Sequence, residues 1–80
     1  ERLDGRQMVA EGLMLGMRMT QGISDAQVEA ASEVLEGVVE AYADLQARGL
    51  VIHENGRYIP SKRGWLLGNE LYGALLELAP

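Results

Sequence analysis

A mainly α-helical domain carrying one β-hairpin is the fold class this sequence predicts, and three observations lead there. Apolar residues recur at spacings of three and four over most of the chain. Ser24-Asp25-Ala26-Gln27 is a helix start signal, and the run it opens ends at Arg48-Gly49. Asn55-Gly56 separates two short apolar runs, the strongest local signal for a two-residue hairpin turn. Eighty residues make one domain, 1–80, and the start at Glu1 suggests a fragment of a larger chain.

The first helix is expected from about Met8 to Met19, where Glu11 and Arg18 are the only charged side chains. A helix apolar nearly all round belongs inside a protein assembly. Most of its methionines (Met8, Met14, Met17, Met19) are expected to fill core gaps, with Met14 the exception. Gly22 is the expected left-handed exit residue. Ser24 then caps the next helix in a capping box with Gln27, with Ile23 and Val28 as the hydrophobic staple. Val28, Ala31, Leu35, Val38, Tyr42 and Leu45 form one apolar stripe, read as one long helix or as two joined near Ser32.

Taking Asn55-Gly56 as the turn pairs Glu54 with Arg57, His53 with Tyr58 and Ile52 with Ile59. Leu50, Ile52 and Ile59 are assigned to the core face, His53 and Tyr58 to the solvent face. Pro60, lacking an N–H, ends the second strand or sits on an edge. Ser61 caps a last helix running to about Leu78, with a core stripe of Leu67, Leu71, Leu75 and Leu78. Gly64 and Gly68 each cost a helix about 1 kcal/mol relative to alanine, so close backbone approach is expected there. Three helices, a hairpin wing and a C-terminal helix follow the order of a winged-helix domain.

Composition narrows the function. The chain is 48% hydrophobic and 24% charged with net charge −5, which excludes intrinsic disorder and disfavours a generic nucleic-acid binder. Residues 25 to 48 set Asp25, Glu29, Glu33, Glu36, Glu40 and Asp44 against Arg48 alone, which would repel a phosphate backbone. No nucleic-acid or membrane partner is expected, and no secretory leader is visible, in keeping with a cytoplasmic location. Zero cysteines rule out a thiolate-held zinc or iron–sulfur site in this chain. His53 is the only histidine and reads as a solvated cross-strand neighbour, so catalytic, cofactor and metal residues are all expected to be none.

Two stripes are candidates for docking a missing partner. Trp65, Asn69, Tyr72 and Leu76 share a side of the last helix away from its core stripe, and read as satellite core or as a docking face. Glu11, Met14 and Arg18 share a side of the first helix, with two opposite charges flanking a flexible apolar side chain. An exposed apolar face of this kind also suits a crystal or weak dimer contact.

Several segments carry a family likeness. Glu11-Gly12-Leu13-Met14-Leu15-Gly16-Met17-Arg18 resembles the E-x-x-M-L-G-L-R segment that opens the C-terminal domain of oxygen-independent coproporphyrinogen III oxidases and their haem-chaperone relatives. Gly22-Ile23, Leu45 with Gly49-Leu50, Ser61-Lys62-Arg63-Gly64 and Leu67-Gly68-Asn69-Glu70-Leu71 resemble later segments of that family in the same order. Ser32-Glu33 departs from a common Phe-Gly pair, and Pro60 from a strand aliphatic. The resemblance implies a parent with an upstream radical S-adenosylmethionine barrel, whose three cysteines hold a 4Fe–4S cluster. It implies oxidative decarboxylation of two propionates to vinyls in porphyrin biosynthesis, or haem binding in the chaperone-like relatives. The C-terminal domain would be non-catalytic, packed on that barrel and helping to cover the tetrapyrrole site. A second hypothesis is an independent winged-helix interaction or regulatory module without strong DNA binding.

Overall fold

Where glycines and caps interrupt the apolar periodicity, the chain turns, and the computed structural model describes this over residues 5–79. The first helix, α1 (Gly5–Gly16), buries Ala10 and Leu13, and Met17 continues the same spacing just beyond its end. Met8 falls opposite that stripe and is exposed, as is Met19 in the turn beyond the helix, while Met14 is half-buried. The expectation of a methionine-filled core is therefore corrected: only Met17 is fully buried. The helix also stops earlier than expected. An ideal Cβ on Gly16 would lie 2.1 Å from the Ile23 side chain, so chain from the next segment packs directly on this point. Turn hydrogen bonds of 3.1 Å from Arg18 N–H to Leu15 O and Met19 N–H to Gly16 O carry the chain away, and it leaves through Gly22 at φ +64°.

Ile23 and Ser24 form a two-residue strand, β1 (Ile23–Ser24), that no periodicity announced. Ser24 caps α2 (Asp25–Ser32) as expected: its Oγ accepts from Gln27 N–H at 3.1 Å, and its own N–H donates to Gln27 Oε1 at 2.9 Å. The staple residues Ile23 and Val28 are both buried. The stripe that follows belongs to two helices. Gly37, at φ +86°, sits in the joint before α3 (Val38–Ala47), and Leu35 anchors that joint in the core. α3 ends in a Schellman motif, Leu50 N–H to Leu45 O at 2.9 Å and Gly49 N–H to Gln46 O at 3.0 Å.

β2 (Val51–Glu54) and β3 (Arg57–Pro60) pair through the expected register, with Asn55 and Gly56 both at positive φ in the turn. β1 adds to the other edge of β3, giving the order β1-β3-β2. Pro60 ends β3, beyond the reach of β1. The facing is the reverse of the expectation. Val51 and Pro60 are buried and Tyr58 packs against the core, whereas Ile52 is 43% exposed. The physical reason is Leu50. It belongs to the helix cap, not to the strand, so strand alternation starts at Val51 and puts His53 and Tyr58 on the inner side.

The single last helix expected from the sequence is two. Ser61 accepts from Gly64 N–H at 3.0 Å and starts α4 (Lys62–Leu66); Leu67, at φ −110° and ψ 43°, breaks it from α5 (Gly68–Leu76). Leu71 and Leu75 are fully buried, while Leu67 and Leu78 are half-buried against the same core. That core gathers Met17, Leu35, Val38, Tyr42, Leu45 and Leu50 from the preceding elements. α1 and α5 pack side by side. No helix among the described residues is long and apolar enough to cross a membrane.

Candidate docking surface

The packing of α1 on α5 brings part of the two candidate stripes together. The Arg18 guanidinium carbon lies 5.2 Å from the centroid of the Tyr72 ring, within cation–π range. At the other end of the helix pair, Glu11 and Leu76 line one hollow with Gln7, Ala10 and Ala79. Residues near 7–11 thus lie beside 76–79 while Arg18 lies beside Tyr72, so the helices run antiparallel. One member pair of the two stripes meets at each end of the helix pair, Arg18 with Tyr72 and Glu11 with Leu76.

Each member has a definite place. Glu11 and Asn69 are exposed, Met14 and Tyr72 are half-buried, and Leu76 is 41% exposed. Arg18 is exposed and lies past the end of α1, so the turn at Gly16, not helical spacing, delivers it to Tyr72. Trp65 rides on α4, across the Leu67 break, and is 46% exposed. Its side chain makes no ring contact or hydrogen bond among the described residues. On the same helix pair Met8 and Leu15 are more than half exposed, and they share the Glu11 side of α1 by their spacing of three and four.

A second arrangement was missed at the sequence level. His53 Nε2 lies 2.7 Å from Asp25 Oδ1, and the His53 ring stacks on Tyr58 with centroids 4.3 Å apart. Tyr58 in turn lies 4.9 Å from the fully buried Tyr42 ring. Three rings therefore step from the surface into the core, and Asp25 clamps the hairpin to the first turn of α2. The Asp25 N–H also donates to Gly56 O at 2.8 Å. His53 is thus not merely solvated. The turn fixes its cross-strand partner, but only the facing of the strand shows what lies beneath the pair.

Burial pushes the Tyr42 hydroxyl far above the ordinary tyrosine range, with Tyr58 adding to the shift, and the hydroxyl has no hydrogen-bond partner among the described residues. Glu29, Glu33, Glu36, Glu40 and Asp44 are all exposed and divided between two helices and their joint. Among the described residues no three His, Asp or Glu side chains converge as a metal site. With no cysteine anywhere in the chain, the residues present do not fit an iron–sulfur cluster.

Comparison with known families gives a match to the HemN C-terminal domain over residues 3–67. The matched stretch ends at Leu67, where α4 breaks from α5. No curated protein and no solved structure matches the chain. Residues 3–67 are most of its length, and the chain belongs to the HemN C-terminal domain family.

Proposed function

We propose that this chain is the accessory C-terminal domain of a protein resembling oxygen-independent coproporphyrinogen III oxidase. It is non-catalytic itself, packs on an upstream radical S-adenosylmethionine barrel, and helps cover the tetrapyrrole site. One observation supports this reading beyond family membership: the α1–α5 pair leaves Met8, Leu15 and Leu76 exposed along its length and carries Arg18 against Tyr72 at one end. Arginine, methionine and aromatic side chains are the types enriched where proteins meet. The order α1-β1-α2-α3-β2-β3, with β1 joining the hairpin, supports a winged-helix reading of the core. The 4Fe–4S cluster and S-adenosylmethionine belong to the parent's barrel in this reading.

The test is made on the parent protein. Replacing Leu15 and Leu76 together by aspartate should leave this domain folded, because both are exposed, yet loosen it from the barrel. Tetrapyrrole bound by the parent should then dissociate faster. Unchanged dissociation, with the domain shown to be undocked by small-angle scattering, removes the covering role.

A further inference from the structure

The tip of the β2–β3 hairpin places an asparagine amide next to an unguarded backbone nitrogen. Asn55 and Gly56 are both exposed, and the Gly56 N–H donates to no acceptor among the described residues. Glycine also lacks the Cβ that hinders approach to that nitrogen. The chain's other asparagine, Asn69, is exposed too, but it lies in α5, where the following N–H, that of Glu70, is held by Leu67 O at 3.0 Å. A side-chain amide is an electrophile toward the next backbone nitrogen, and of the two asparagines only Asn55 has that nitrogen free to react.

The same tip holds the hairpin to α2. Gly56 O accepts the Asp25 N–H at 2.8 Å, satisfying a donor that the first turn of a helix leaves without a partner of its own. The Asp25 carboxylate holds His53 at 2.7 Å, and its Oδ2 lies 3.8 Å from where a Cβ on Gly56 would sit. Asn55 takes φ +53° in the two-residue turn that fixes the register of both strands. One added main-chain atom breaks that geometry, and one added negative charge joins Asp25 and Glu54 at the tip.

We propose that Asn55 is a site of spontaneous deamidation, and that its isoaspartyl product unlatches the hairpin tip from α2. The Gly56 nitrogen bonds to the side-chain carbonyl carbon of Asn55. The bond from that carbon to the amide nitrogen breaks, and ammonia leaves, taking up through water the proton that the Gly56 nitrogen gives up. Water then opens the cyclic imide. Opening at the Asn55 backbone carbonyl routes the main chain through the side chain and yields isoaspartate with one extra main-chain carbon; opening at the other carbonyl yields aspartate. No oxidant or reductant takes part.

The test ages the full-length parent at mildly alkaline pH. Trypsin cuts after Arg48, Arg57 and Arg63, which separates the two asparagines into peptide 49–57 and the peptide that opens at Gly64. Peptide 49–57 should gain the mass of amide-to-acid conversion about tenfold faster, the equivalent of one N–H released from a hydrogen bond, and electron-transfer fragmentation should find isoaspartate in it. The converted protein, separated by ion exchange, should then exchange the Asp25 N–H about tenfold faster than the unaged protein, with the amides of α3 unchanged. Asn55→Gly keeps a turn-forming residue and removes the amide, so its Asp25 N–H should stay protected through the same ageing. Equal conversion of the two peptides overturns the site. Isoaspartate at 55 with Asp25 exchange unchanged overturns the unlatching, as does an equal loss of protection in aged Asn55→Gly.

Discussion

The carbonyl oxygen of Leu50 lies 2.1 Å from where a Cβ on Gly64 would sit, so the first turn of α4 rests directly on the backbone that leaves α3. Ser61 N–H donates to the same oxygen at 3.0 Å, and Ser61 Oγ donates to Gly49 O at 2.5 Å. This corner holds α3, the hairpin and α4 in one arrangement. Gly64→Ala forces backbone to move and should destabilise by about 1–3 kcal/mol, despite the better helix propensity of alanine. Gly12→Ala is the control, since nothing lies within 4 Å of a Cβ there. It should stabilise by about 0.5–1 kcal/mol. Urea unfolding of both variants checks the sign, and equal shifts would show that the corner is not closely packed.

Local chemistry made much of this fold legible. The Ser24 capping box, the Arg48-Gly49 stop, the Asn55-Gly56 turn and the Ser61 cap each depend on a few adjacent residues, and all four are present. What stayed hidden depends on tertiary contact. β1 exists because Ile23 and Ser24 find the free edge of β3. The break at Leu67 interrupts an apolar stripe that reads as continuous. The contact of α1 with α5 was legible only as two unrelated stripes, because spacing along one helix says nothing of which helix lies beside it.

The reversed hairpin face yields a direct test. Val51 is 2% exposed and Ile52 is 43% exposed, although the larger Ile52 was expected inside. Val51→Ala should cost about 2 kcal/mol by the methyl groups it removes from the core. Ile52→Ala should cost less than about 1 kcal/mol. Thermal or urea unfolding that ranks the two the other way would restore the original facing.

Tyr42 carries a buried hydroxyl without a partner among the described residues, so Tyr42→Phe should be neutral or stabilising by up to about 2 kcal/mol. Its effect should also change with pH. The folded-state pKa is raised by desolvation first and by Tyr58 second, so above about pH 10 the unfolded chain ionises this phenol and the folded chain does not. The unfolded state then binds fewer protons, and stability falls as pH rises. The loss attributable to this one group approaches about 1.4 kcal/mol per pH unit between the unfolded-state and folded-state values. Tyr42→Phe should remove that slope. Denaturant titrations at pH 8 and pH 11 measure it as the difference between the two proteins, and parallel losses would place the phenol in contact with water.

Duplex DNA gives the last expectation. In a winged-helix reading α3 would occupy the recognition position, and it presents Glu40 and Asp44 to solvent. The basic residues on and just after the hairpin, Arg57, Lys62 and Arg63, do not offset them. Arg57 is tied to the carbonyls of Gln21 and Gly22, and Arg48 to Asp44 and Glu70, which leaves Lys62 and Arg63 as exposed cations not already engaged on that side. Two charges release too few counterions from phosphate to hold a duplex at physiological salt. Mobility-shift titration with random duplexes should therefore show no retardation in the micromolar range. Replacing Glu40 and Asp44 by lysine should produce weak binding that vanishes as salt is added. Strong, salt-sensitive retardation of the unaltered domain would turn the reading of α3 around and make the independent regulatory module the better account of the chain.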